Sequence, residues 1–259
     1  MERVIFPLKR KQILDKGFVE LWKSSLINLN QESRIKAVTT IASLSYGNEK
    51  SRNPEVLYNN LWKWGHLSVF EFVRSPKGDI QNSLRNNLEL ETIEEMSSNA
   101  NELAELINTY ESNVALFKLK TPQFVRDHFV RHRCFSFLVM SRRYTTDKKV
   151  PFEFYYPDYV DVTKRELLRD TYEKAVKTYN QLVLEGVHPE VARIVIPVGV
   201  YTQFFMMGNV PCLVNFFKLR LHKAAQRESR LFAEAMYQLL QQHQPRLFEK
   251  IKEEVKINE

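Results

Sequence analysis

Arg131-His132-Arg133, then seven intervening residues, then Ser141-Arg142-Arg143-Tyr144 place five basic side chains, a hydroxyl and a phenol within fourteen positions. Phe135, Phe137, Leu138, Val139 and Met140 lie between the two groups. A solvated run of charge is not interleaved with that much apolar bulk. Arginine is costly to bury unless an anion pairs with it, and its planar fork matches a phosphate or a polarised carbonyl. The stretch therefore reads as a semi-buried anion site. A serine followed by two arginines can bring a hydroxyl, backbone N–H groups and guanidinium forks to one phosphate. As a nucleophile Ser141 would need an adjacent base, and no GxSxG pattern surrounds it, so anchoring is the expected role. The triplet has a plainer reading: Arg131 lies four residues after Asp127, the spacing of a surface ion pair of small net value.

Three further groups can do chemistry. Arg193 in Glu190-Val-Ala-Arg-Ile-Val-Ile-Pro197 and Arg220 in Asn215-Phe-Phe-Lys-Leu-Arg-Leu221 are single charges framed by apolar residues. Each reads either as a buried anion ligand or as an arginine snorkelling from an amphipathic helix. His66, Ser68 and Glu71 form a polar trio just after a helix end, where a cap and a turn would explain them equally well. His128 and His132 are four apart, which on a helix would put both on one face. A zincin needs Glu directly after the first histidine, and Phe129 stands there. No third ligand stands out, so no metal is expected.

What must position these residues is an ordinary globular chain. Its 259 residues, 44% hydrophobic and 27% charged, suffice for one sizeable core. No apolar run reaches the length of a membrane span, and the start of the chain lacks a signal-peptide pattern. Cys134 and Cys212 are the only cysteines. That count argues against a disulfide framework and makes a reducing cytoplasm the expected location. The net charge of +7 favours anionic partners without choosing among them. Seven glycines and the lack of both GxGxxG and GxxxxGK[ST] argue against a Rossmann or P-loop nucleotide site.

The pattern predicts a strand at Val4–Leu8, helices around Val19–Leu29 and Pro54–Trp64 with Gly65 as C-cap, and a short strand at Phe70–Val73. Ser75–Gly78 reads as a turn and Gln81–Ser112 as polar and helix-forming. A strand follows at Val114–Leu119, and Pro122 opens a helix that carries the Arg-His-Arg triplet. Phe152–Pro157 alternates as an edge strand. Thr163 and Glu166 read as a capping box for a long helix with Leu168, Tyr172, Ala175, Val176, Tyr179 and Leu182 inward, stopped at Gly186. A short helix runs from Pro189 to Ile196, Val200–Met207 is β-rich, and Pro211 opens the last helical region. Helices dominate and the strands are scattered, which makes the class α+β and the chain one domain.

Taken together the segments resemble the flavin-dependent thymidylate synthases. Arg131-His132-Arg133 with Ser141 meets that family's hallmark of Arg-His-Arg, seven residues and Ser. Ile13–Leu21 looks like its opening strand and turn, and Gly65–Glu71 resembles its flavin-contacting segment. Ala192–Pro197, Tyr201–Phe205, Asn209, Asn215–Arg220 and Ala225-Gln226 follow in the family's order. The resemblance covers nearly the whole chain outside 75–112. There an insert, expected to be a helical excursion at about 76–112 within a single 1–259 domain, interrupts one strand of the family pattern.

The resemblance implies mixed helices with a small antiparallel sheet and a homotetramer holding FAD and dUMP at subunit interfaces. It implies methylene transfer from methylenetetrahydrofolate to C5 of dUMP, with hydride from the reduced flavin and NADPH as reductant. Carried over by position, His66, Ser68, Glu71, Arg131, His132, Arg133, Asn209 and Asn215 would meet FAD. His128, Arg131, Ser141, Arg142, Arg143 and Arg193 would hold dUMP, and Arg220 would both bind it and stabilise the ionised uracil as the catalytic residue. His128 stands where the family usually has Gln, Leu138-Val139 replace a common Asn-Glu, and Pro211 and Phe72 replace Arg and His. Two other readings stand beside the synthase: a catalytically silent homologue that keeps the nucleotide site, and a basic nucleic-acid-binding protein. Against the latter, the arginines sit among core-like residues and not on one solvated helix face.

Overall fold

The computed structural model describes residues 5–24, 31–45, 53–64, 66–72, 113–143 and 146–255. The excursion at 76–112, the turn at Ser75–Gly78, the helix-forming stretch Gln81–Ser112 and the Gly65 cap lie outside the described residues.

Strands β1 (Ile5–Ile13), β2 (Gly17–Ser24), β3 (Val114–Pro122), β4 (Ser136–Val139) and β5 (Tyr201–Asn209) form one antiparallel sheet in the order β1-β2-β3-β5-β4. Around it lie helices α1 (Gln31–Ser45), α2 (Pro54–Lys63), α3 (Gln123–Phe129), α4 (Val162–Leu184), α5 (Pro189–Ala192), α6 (Val210–Arg220), α7 (Arg227–His243) and α8 (Pro245–Lys252). Mixed helices on a small antiparallel sheet are what the family resemblance implies.

The three central strands carry apolar residues on both faces because both faces are covered, with Glu20 and Lys118 as buried charges among them. Ala115, Phe117 and Leu119 of β3, Phe204 and Met206 of β5, and Val19 and Leu21 of β2 enter one core with α3, α6, α7 and α8. The intervening Val114, Leu116, Phe205, Met207 and Trp22 enter a second core with α1, α2 and the 3-10 helix Leu67–Phe72. Period-two alternation thus sorts consecutive side chains between two helical layers. Gly17, at the start of β2, lies where the sheet packs tightly against Phe232 of α7. A Cβ there would stand 2.8 Å from the carbonyls of Ile13 and Lys120 and from the Phe232 ring.

Several expectations are corrected. The helix expected around Val19–Leu29 is strand β2 as far as Ser24, because its residues pair on both sides and alternate between the cores. Phe70 and Phe72 lie in a 3-10 helix, not a strand, with Val69, Phe70 and Phe72 packed into the second core. Helix α3 ends at Phe129, so the Arg-His-Arg triplet follows it in a turn and is not carried on it. Phe152–Pro157 contributes one bridge, Phe154 to Val200, and no strand. The N-cap of α4 is Asp161, whose carboxylate accepts from the Lys164 N–H, so Thr163 is already inside the helix. Helix α1 and strand β4 are elements that the sequence pattern does not predict.

Candidate active site

Asn209 ends β5 and caps α6 by accepting from the Cys212 N–H at 3.2 Å, and Pro211 in the first turn presets the helical backbone. Leu213, Phe216 and Phe217 anchor α6 in the first core and leave Arg220 as its last residue. Across from it α3 closes at Phe129, and the His132 N–H returns to the Phe129 carbonyl at 3.0 Å. That turn points Arg131 and Arg133 outward and His132 inward, against the rings of Phe216 (5.0 Å) and Phe135 (6.4 Å).

Arg220 Nε donates to His132 Nε2 at 3.0 Å and Nη2 donates to the His128 carbonyl at 2.9 Å. An acceptor at Nε2 requires the His132 proton on Nδ1. Burial, with the Arg220 cation second, pushes His132 down to about 4, so the ring is neutral at physiological pH. Burial also lowers Arg220 from the usual guanidinium value. No carboxylate pairs with Arg220 among the described residues. The result is a partly buried cation held in place by neutral acceptors. His128, also lowered by burial and then by Arg220, lies with its Nδ1 3.0 Å from Ser229 Oγ.

A second group forms where β4 runs out. Ser141 Oγ accepts from the Arg143 N–H at 3.3 Å, Arg143 Nε meets Glu190 Oε2 at 3.0 Å, and Arg193 Nε donates to the Glu190 carbonyl at 3.0 Å. The structure therefore brings Ser141, Arg143 and Arg193 together, with Glu190 among them. Arg142 is placed differently. Its guanidinium donates to the carbonyls of Val150 and Pro151 and lies 4.5 Å over the Phe152 ring. Burial lowers it as well, with Asp147 opposing. It closes the loop that follows Ser141.

The expected flavin contacts are dispersed. Arg131 and Arg133 are exposed beside the first core, and Asn215 is exposed on α6. His66 and Ser68 are exposed on the segment that packs into the second core, so the sheet separates them from the triplet within one chain. The Glu71 side chain lies outside the described residues. Two of the positions that depart from the family pattern are core positions here: Phe72 is fully buried against Phe205, and Leu138 is buried in the same core.

Sequence reasoning missed a polar group at the start of α7. Glu228 is 1% exposed and accepts from the phenols of Tyr155 at 3.1 Å and Tyr159 at 2.8 Å on one oxygen. Arg227 pairs with Asp158 at 2.8 Å, and Ser229 is fully buried against His128. Burial and then Glu228 raise Tyr155. The only sequence signal was Arg-Glu-Ser opening an amphipathic helix, which ordinarily reads as a solvated first turn. Among the described residues no His, Cys, Asp or Glu group could hold a metal ion, and no helix is long and apolar enough to cross a membrane.

The model of the thymidylate synthase complementing protein family matches residues 81–246, more than half of the chain. A flavin-dependent thymidylate synthase of Thermosipho melanesiensis is 35% identical over 159 residues, 54% of this chain and 68% of that protein. One from Thermotoga neapolitana is 28% identical over 245 residues, 92% of this chain and 91% of that protein. Among solved structures, a UMP/dUMP methylase of Streptomyces cacaoi bound with 5-Br UMP aligns over 96% of this chain and 99% of its own, with a TM-score of 0.54 and 22% identity. That likeness is one of fold.

Proposed function

This chain belongs to the thymidylate synthase complementing protein family, and on that premise we propose that it is a flavin-dependent thymidylate synthase. The reaction is reductive methylation of dUMP to dTMP with methylenetetrahydrofolate as carbon donor, FAD as hydride carrier and NADPH as reductant.

The observation that carries this reading is Arg220. When C5 of a uracil acts as a nucleophile, negative charge spreads to the ring carbonyls. A cation already oriented at those carbonyls stabilises that charge without reorganising. Arg220 is oriented by His132 and His128 through two of its donors, which leaves the others for a ligand. Because neutral groups hold it, its charge is not cancelled beforehand. Arg193 and Arg143 supply cations for the phosphate end of dUMP, and Ser141 supplies a hydroxyl. Arg142 holds the shape of the loop behind them.

The residues present fit FAD. Arg131 and Arg133 are exposed, stand on a turn pinned by the buried His132, and have no ion-pair partner among the described residues. Two such cations suit the diphosphate of a dinucleotide. Asn215 stands exposed on the helix of Arg220. When bound, the reduced flavin supplies the hydride that completes the methyl group. His132 serves the site by fixing Arg220, since its Nε2 is already engaged. His66 and Ser68 lie across the sheet, and Trp62 and Trp64 nearby are 53% and 56% exposed. A homotetramer in which one subunit's His66–Ser68 segment completes another's flavin site accounts for both features.

The test is direct. Purified protein is scanned for flavin absorption, then assayed for dTMP formation from dUMP, methylenetetrahydrofolate and NADPH, and its mass in solution is measured. Flavin bands, dTMP and a four-chain mass are expected. Flavin and dUMP binding without dTMP would identify a silent homologue. Colourless protein with salt-sensitive DNA binding would identify a nucleic-acid-binding protein.

A further inference from the structure

Ser229 Oγ lies 3.0 Å from His128 Nδ1, 101 residues away in sequence. Its residue is fully buried, so bulk solvent does not reach the hydroxyl. Helical hydroxyls elsewhere in the chain give theirs to their own backbone: Thr39, Thr171 and Thr178 each donate to the carbonyl four residues back. Among the described residues Ser229 makes no such bond, and His128 Nδ1 is its one partner. A buried hydroxyl that must place its proton, facing a single ring nitrogen, donates to it. His128 Nδ1 is then the acceptor, and Nε2 carries the ring proton.

We propose that Ser229 is a positioning residue that fixes His128 as the Nε2–H tautomer and holds the His128 peptide unit on which Arg220 rests. The turn carrying Ser229 is itself tied down, because Tyr155 and Tyr159 both donate to the adjacent Glu228. From there the order runs through Ser229 to His128, from the His128 carbonyl to Arg220 Nη2, and from Arg220 Nε to His132. The charged groups acting on the His128 ring are Arg220, Asp127 and Arg131; burial and the two arginines lower it from the ordinary imidazole value, with Asp127 opposing. The consequence deepens the synthase reading and rests on it. His128 offers a ligand an N–H beside two cations, so the ligand atom that meets it is an acceptor, such as a uracil carbonyl.

Nitrogen NMR of imidazole-labelled protein without substrate reads the tautomer directly. Wild type is expected to show unprotonated Nδ1 and protonated Nε2 at His128, and Ser229→Ala a mixture of the two tautomers. dUMP binding by flavin-containing Ser229→Ala is expected to weaken about five- to tenfold, the size of one lost hydrogen bond. In a His128→Gln background, where no tautomer exists to fix, Ser229→Ala should cost less than about twofold. If the alanine variant does not fold, Ser229→Cys keeps the volume with a weak donor and carries the same comparisons. A wild-type His128 protonated at Nδ1, an unchanged tautomer in the variant, or equal losses in both backgrounds would overturn the proposal. Wild type that fails to bind dUMP would instead overturn the synthase reading and leave the tautomer result standing.

Discussion

Arg220 and Arg143 are both arginines of the candidate site, yet the chain treats their charges in opposite ways. Arg220 is partly buried, lowered by that burial, and held by a neutral imidazole and a peptide carbonyl. Arg143 is 53% exposed at its side chain and faces the Glu190 carboxylate, itself 42% exposed. The first arrangement is costly to fold, since a cation is removed from water without a counter-ion. A binding anion recovers that cost. The second is cheap and screened, and under the proposed function an incoming phosphate would compete with Glu190 for Arg143. Geometry fixed in advance belongs where charge develops during reaction. An exchangeable ion pair suffices where charge is only bound.

The largest effect is expected from the rigid side. Arg220→Ala should fold and retain flavin while kcat falls about a thousandfold, roughly 4 kcal/mol of transition-state stabilisation. Arg220→Lys keeps the charge but cannot reach His132 and His128 together, and should fall between the two. Single-turnover methyl transfer at saturating dUMP reads this. An alanine variant within tenfold of wild type would break the contrast between the two arginines.

His132 gives the rigid side a pH signature. Its value in the folded protein, about 4, lies below the ordinary 6.5. Between those values the unfolded chain binds the proton and the folded chain does not, so stability rises with pH across that window. Acidification from pH 6.5 toward 4 should therefore cost up to about 3 kcal/mol from this group, less whatever relaxation allows. Denaturant unfolding at several pH values, compared with His132→Gln, isolates the contribution. His128 is lowered too and adds in the same direction. If the variant keeps the full wild-type slope, His132 is not the group responsible.

On the exchangeable side, Ser141→Ala should raise the KM for dUMP about five- to tenfold and leave kcat nearly intact, because an anchoring contact is present in ground and transition states alike. No base lies among its sequence neighbours, and its Oγ accepts from the Arg143 N–H. Loss of all turnover at saturating dUMP with binding retained would make Ser141 a participant in the chemistry.

How far the chain discloses these two sides in advance depends on sequence distance. Strand β3, helices α2 and α4 and the β-rich run at β5 follow from local periodicity and from Pro and Gly punctuation. Strand β2 does not, because its apolar residues face two cores at once and lose the alternation that marks a half-buried strand. The triplet and Ser141 stand out by spacing. The partners that give them meaning do not. Arg220 meets His132 across 88 residues, His128 meets Ser229 across 101, and Glu228 meets its tyrosines across 73 and 69. Arg142 looks identical to Arg143 in sequence, and only the path of the loop to Phe152 separates a structural arginine from an exposed one.

The smallest expected effect is also the sharpest test of the exchangeable pair. Glu190→Gln removes the carboxylate that faces Arg143 while keeping the shape of α5 and the backbone carbonyl that Arg193 uses. If Glu190 competes with the phosphate, the variant should bind dUMP about two- to threefold more tightly at low salt, the modest value of an exposed ion pair. The gain should shrink as salt rises, because the competing interaction it removes is itself screened. In an Arg143→Ala background, Glu190→Gln should leave dUMP binding unchanged. A KM that rises in Glu190→Gln would mean that the carboxylate orients Arg143 for binding. The second region would then be as preorganised as the first, differing only in using a charge to do what His132 does without one.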